Sequence, residues 1–65
     1  MITVNGRRED WSAGLTVARL LERMGYGLIH ITVTVNEQVV PEEDYAAFPI
    51  PDGAQVHAIH LHHGG

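Results

Sequence analysis

The chain contains neither cysteine nor lysine. Without thiols there is no disulfide framework, no thiolate nucleophile and no thiolate metal site. Without lysine every positive side chain is an arginine (Arg7, Arg8, Arg19 and Arg23), set against eight carboxylates for a formal net charge of -4. That balance argues against a nucleic-acid binder, which needs a basic footprint. No apolar run approaches the roughly 18 residues of a membrane-spanning helix. The opening "MITVNGRRED" lacks the basic-then-apolar order of a signal peptide, so the expected setting is the cytoplasm, with no membrane partner. Catalytic groups are scarce too: no acid/base pair stands out, and the hydroxyl nucleophiles are Ser12 and the threonines.

At 65 residues the chain is expected to be a single domain over 1–65. A chain this short buries only about 60% of the surface its unfolded form exposes, leaving no room for a deep cleft between lobes. The size therefore favours a module that other proteins act upon over an enzyme.

The pattern along the chain is readable. In "MITVNG", Ile2 and Val4 share one face, and Asn5-Gly6 is a strong hairpin signal. A second short strand is expected over residues 8–11, ending in the "SAG" turn. The period then changes: Val17, Leu20, Leu21 and Met24 stand at i, i+3, i+4 and i+7, which predicts a helix over 17–24 with Arg19, Glu22 and Arg23 outward. Thr16 is the expected N-cap and Gly25 the left-handed stop. "HITVTVNEQVV" returns to strand chemistry, with Ile31, Val33 and Val35 alternating against Thr32 and Thr34. Asn36-Glu37 should turn the chain into a short return strand over 38–40, which Pro41 ends. "PEEDYAAF" reads as irregular or as one helical turn, its acidic run as a solvated turn, and "PDG" as a type I or II turn. Last, "AQVHAIHLHH" reads as a strand with Val56 and Ala58 on one face and His57, Ile59 and Leu61 on the other.

Hairpin, helix, strand, short strand, turn, strand make an α+β two-layer domain with one helix against a mixed sheet of four to five strands. With the first and last strands side by side in the middle, this is the β-grasp, or ubiquitin-like, arrangement, whose order is shared in part by ferredoxin-like fragments. If Val56 and Ala58 face the helix, Ile59 and Leu61 are exposed on the open face with His57, and an apolar pair ringed by polar groups marks a partner surface. His57, His60, His62 and His63 raise the question of a metal. On a strand His60 and His62 share a face about 7 Å apart, but no third ligand joins them, so no metal site is expected.

Along the full chain, "VNG", "GLTVARLL", "VNEQVVP", "DGAQV" and the final "GG" fall in the order seen in the ThiS family, the sulfur carriers for the thiazole ring of thiamin, and the sequence resembles that family. The "DG" turn and the terminal "GG" also resemble MoaD, the molybdopterin carrier; "VNEQVVP" is more similar to ThiS. The resemblance has departures. Glu42 stands where an arginine is common, Tyr45 where a tryptophan is common, and His62 and His63 where small or aliphatic residues precede the diglycine.

What the resemblance implies is a protein co-substrate with no bound cofactor and no catalytic residue. The Gly65 carboxylate would be adenylated with ATP by a ThiF-type adenylyltransferase. A sulfurtransferase or cysteine desulfurase would supply sulfur to make a thiocarboxylate, which a ThiG-type thiazole synthase would consume. His62, His63, Gly64 and Gly65 would enter the partner's active site as a flexible tail over about 61–65, while Ile59, Leu61 and His57 dock the body. Glycine suits such a tail because it lacks a Cβ, and four or five extended residues reach on the order of 15 Å. The missing residue types fit: without cysteine the sulfur cannot be lost by internal thiol exchange, and without lysine no ε-amine can attack the activated end. Two other readings share the pattern: a MoaD-like carrier for molybdopterin, tungstopterin or another pathway, and a ubiquitin-like interaction module that carries nothing.

Overall fold

The computed structural model describes residues 1–26 and 30–60. The expected tail, 61–65, lies outside the described residues. The strands are β1 (Ile2–Val4), β2 (Arg7–Glu9), β3 (Ile31–Val35), β4 (Gln38–Val40) and β5 (Gln55–His60), with one helix, α1 (Val17–Met24), and a 3-10 turn at Glu42–Asp44. They form one mixed sheet in the order β2-β1-β5-β3-β4, the β-grasp arrangement. β5, last in the chain, is the middle strand, parallel to β1 and antiparallel to β3.

Local chemistry sets the turns. Asn5 and Gly6 both take positive φ, 52° and 83°, as a two-residue type I′ hairpin requires, and place Val4 opposite Arg7. The second strand is therefore Arg7–Glu9, one residue earlier than expected and ending sooner. Trp11 leaves the sheet, half-buried, so that its indole N–H donates to the Ile50 carbonyl at 2.6 Å. Asn36 and Glu37 repeat the type I′ geometry at 50° and 69° between Val35 and Gln38. The turn after Pro51 closes with the Ala54 N–H donating to the Pro51 carbonyl at 3.2 Å.

The helix starts and stops as its sequence predicts, but tertiary contacts complete its first turn. The Thr16 hydroxyl accepts from the Arg19 N–H at 3.3 Å, and the Thr16 carbonyl accepts from Leu20 at 3.0 Å. The remaining free amides of that turn, Val17 and Ala18, donate to the carbonyls of Phe48 and Tyr45. Gly25 ends the helix at φ 77°. Its N–H bonds to the Glu22 carbonyl and the Tyr26 N–H reaches back to Leu21, the paired bonds of a Schellman stop.

Val17, Leu20 and Leu21 of the helix pack with Ile2, Val4, Ile31, Val33, Val35, Val40, Val56 and Ala58 on one face of the sheet. Leu15, Tyr45, Ile50 and Ala54 close the edges of this core. Tyr45 is buried and donates its hydroxyl to the Ile31 carbonyl at 3.0 Å. That burial raises its pKa, with the Glu42 carboxylate adding to the effect. Among the described residues no helix is long and apolar enough to cross a membrane.

Candidate functional site

The candidate site is the end of β5 and the sheet face around it. The face opposite α1 carries side chains that alternate with the core. His57 stands across from Thr34, Ile59 across from Thr32, Val39 across from Thr34, and Arg8 across from Thr3. Ile59 is 58% exposed and Val39 63%, the large apolar groups this face offers to solvent. Both expected docking residues that fall among the described ones, His57 and Ile59, are therefore exposed on the open face. Leu61, His62, His63, Gly64 and Gly65 lie outside the described residues.

Two asparagines hold β5 in place, and in both the reason is the same left-handed backbone that makes the hairpin turn. At Asn5 the chain turns away from β5, yet its side chain continues the pairing that β1 abandons. Its Nδ2 donates to the Ala58 carbonyl at 3.0 Å, and its Oδ1 accepts from the Ala58 N–H at 2.8 Å. Its backbone N–H adds a bond to the Val56 carbonyl at 2.9 Å. The carboxamide thus stands in for a peptide group, matching one donor and one acceptor to the strand. Asn36 does the equivalent from the other flank: its Oδ1 accepts from the Gln55 N–H at 2.9 Å and its N–H donates to the Gln55 carbonyl at 2.8 Å.

Past Ala58 the strand is held differently on its two sides. β3 accompanies it to the end, with Ile31 across from His60, while its pairing with β1 covers Thr3 with Gln55 and Val4 with Val56. Ile59 and His60 therefore carry strand pairing on one side. His60 follows Val56 and Ala58 on the helix side of the sheet, and its ring meets that of Tyr26 edge to face at 4.9 Å between centroids, 88° between planes. His57 and His60 point to opposite faces, and among the described residues no three histidine or acidic side chains gather where they could share a metal ion.

The recess on the other layer, between the 12–15 loop and α1, presents Ser12, Arg19, Glu22 and Arg23. At the opposite edge of the chain's start, the N-terminal ammonium donates to Asp52 Oδ1 at 2.6 Å. That hydrogen bond holds the Asp52 carboxyl below its ordinary 3.8.

Reading the residues in sequence placed His57 and Ile59 but missed the two asparagine clamps, Val39 and Tyr26. The asparagines are legible as turn formers; nothing local tells that the side chains of Asn36 and Asn5 meet a strand 19 and 53 residues away.

The model of the ThiS family matches residues 2–65. The chain is 31% identical over 64 residues to the sulfur carrier protein ThiS of Escherichia coli, covering 98% of this chain and 97% of that one. It is 30% identical over 64 residues to a thiazole synthase of Paramagnetospirillum magneticum, where the match spans 98% of this chain but only 20% of the longer protein. A crystal structure of the thiamine biosynthesis protein ThiS from Geobacter metallireducens superposes with a TM-score of 0.79 at 28% identity, covering 98% of this chain and 97% of that one.

Proposed function

We propose, from the premise that this chain belongs to the ThiS family, that it carries sulfur in the cytoplasm as a C-terminal thiocarboxylate for the thiazole of thiamin. The observation that carries the reading is the family match over 2–65 together with a scaffold whose last strand is the central one, ending at His60 five residues before Gly65. A middle strand is a well-anchored place from which to project a chain end, because its body is paired on both flanks and packed beneath, and β3 accompanies it to His60.

The chemistry proposed for the end follows from the carboxylate's poor electrophilicity. An oxygen of the Gly65 carboxylate attacks the α-phosphorus of ATP on a ThiF-type enzyme, and pyrophosphate leaves. Sulfur delivered as a persulfide by a sulfurtransferase or cysteine desulfurase then attacks the acyl carbon and expels AMP, leaving an acyl disulfide. A second thiol attacks the enzyme-side sulfur of that bond, so that the sulfur–sulfur bond breaks, a new disulfide forms with the thiol, and the thiocarboxylate is released. This protein is co-substrate in each step; it supplies geometry and no catalytic side chain. Docking is assigned to the open face, with His57 and Ile59 (and Leu61 beyond them) against the partner and Val39 at its margin. A ThiG-type thiazole synthase is the proposed acceptor. The Paramagnetospirillum relative supports it, because a segment like this chain forms part of one polypeptide with the remainder of a thiazole synthase.

Mass spectrometry tests the reading. With ATP and the ThiF-type enzyme the chain should gain one AMP, and with a sulfur source about 16 mass units as oxygen is replaced by sulfur. Deleting Gly65 should abolish both gains without changing the melting temperature. Ile59→Asp should raise the KM for this chain about tenfold or more, as expected for losing a buried aliphatic side chain at a contact. An AMP adduct of equal yield on the Gly65-deleted chain would refute the assignment of the reacting group.

A further inference from the structure

The open face and the chain end cover the proposed activation, but one contact on the helix side has no part in either. His60 is the last residue of β5, and its ring is engaged by Tyr26. Tyr26 is itself fixed. It follows Gly25 in the Schellman stop, its N–H bonds to the Leu21 carbonyl at 2.9 Å, and its ring packs half-buried against the core. Tyr26, the second residue beyond α1, is thus the one that meets the ring at the end of β5. On the far flank β1 pairs with β5 as far as Val56, and the Asn5 side chain extends that support to Ala58. Among the described residues, His60 is held by Ile31 in the sheet and by Tyr26 below it.

We infer that Tyr26 is a positioning residue for activation: by holding the His60 ring it fixes the place and direction from which the last five residues start. This inference rests on the proposed carrier function. Freedom at His60 is inherited by every residue that follows it in the chain. Each residue freed at the root multiplies the conformations the Gly65 carboxylate samples around a docked body, and lowers the share of complexes in which it meets the α-phosphorus. Docking through the opposite face of the sheet is untouched. Loosening the root should therefore slow the chemical step and leave binding of the body alone, a split that a purely structural role would not produce.

The test compares Tyr26→Leu, Tyr26→Phe, His60→Ala and the Tyr26→Leu/His60→Ala pair as substrates of the ThiF-type enzyme with ATP. Leucine keeps bulk against the core, so the fold is retained, and phenylalanine keeps the ring. Tyr26→Leu and His60→Ala should each lower kcat for AMP transfer about threefold to tenfold, the span of one edge-to-face ring pair, with KM within about twofold. The double variant should fall no further than the worse single one, and Tyr26→Phe should match the unsubstituted protein. An unchanged kcat in Tyr26→Leu, or a loss confined to KM, would overturn the inference. A second readout does not depend on activation. In NMR spectra of the free chain, the His60 ring protons should move when Tyr26 becomes leucine, as the ring current is lost, and stay put when it becomes phenylalanine. If the unsubstituted chain accepts no AMP while the His60 shift behaves as stated, the carrier reading fails and the Tyr26–His60 clasp stands. An identical His60 spectrum in Tyr26→Leu sinks the clasp itself.

Discussion

Replacing Asn5 by alanine removes two hydrogen bonds to the central strand and leaves a residue with a Cβ in a left-handed backbone. The lost bonds are those to the Ala58 carbonyl and from the Ala58 N–H, both part-buried. Each is worth about 1 kcal/mol net. At φ 52° an alanine pays roughly 1–2 kcal/mol that asparagine largely avoids. The expected loss is about 3 kcal/mol. For a domain of this length total stability is on the order of 3–10 kcal/mol, so the variant forfeits a third of it or more. At about 4–8 °C per kcal/mol the melting temperature should fall by roughly 12–24 °C. Urea unfolding followed by Trp11 fluorescence measures this directly, because the single tryptophan is half-buried and tied to the Ile50 carbonyl. Two further variants separate the causes. Asn5→Gly keeps the left-handed backbone at no steric cost and should lose only the hydrogen bonds, about 2 kcal/mol. Asn5→Asp keeps the acceptor but turns a carboxylate oxygen toward the Ala58 carbonyl; it should be worst at neutral pH and recover in part below about pH 4, where the protonated acid can donate. An Asn5→Ala protein within about 0.5 kcal/mol of the original would show that the carboxamide does not carry the strand, and the account of β5 would be wrong.

Glu37 occupies the second left-handed position of the β3–β4 turn at φ 69°, where glycine costs nothing. Glu37→Gly should stabilise the fold by about 0.5 kcal/mol, the relief of left-handed strain less the extra freedom glycine gives the unfolded chain. A lower melting temperature would contradict it. The Asp52 carboxyl, held below 3.8 by the N-terminal ammonium, contributes stability that is present above that value and lost as the pH falls through the lower folded one. Asp52→Asn should therefore flatten the acid limb of the stability curve below about pH 4, and do so less at high salt, since the pair is exposed. An acid limb of unchanged steepness would remove this pair from the account.

What the sequence determined by itself was everything set by near neighbours. The period of Val17, Leu20, Leu21 and Met24, the Thr16 cap and the Gly25 stop set the bounds of α1, because a helix is closed by bonds four residues long. The alternation of Ile31 to Val35 and the two asparagine turns gave β3, its hairpin and the faces of the sheet for the same reason. From the face of Val56 and Ala58, the exposure of His57 and Ile59 followed. The end of the second strand was misjudged because Trp11 answers to Ile50, 39 residues on, and not to the hairpin. Only the tertiary structure decided that Asn5 and Asn36 brace β5 from either flank, that Phe48 and Tyr45 finish the helix start, and that Tyr26 meets His60. Each is a pairing between distant segments, and those of Asn5, Asn36 and Tyr26 are chosen by where β5 inserts between β1 and β3; until that strand is in place, the asparagine amides and the Tyr26 ring lack the partners described above.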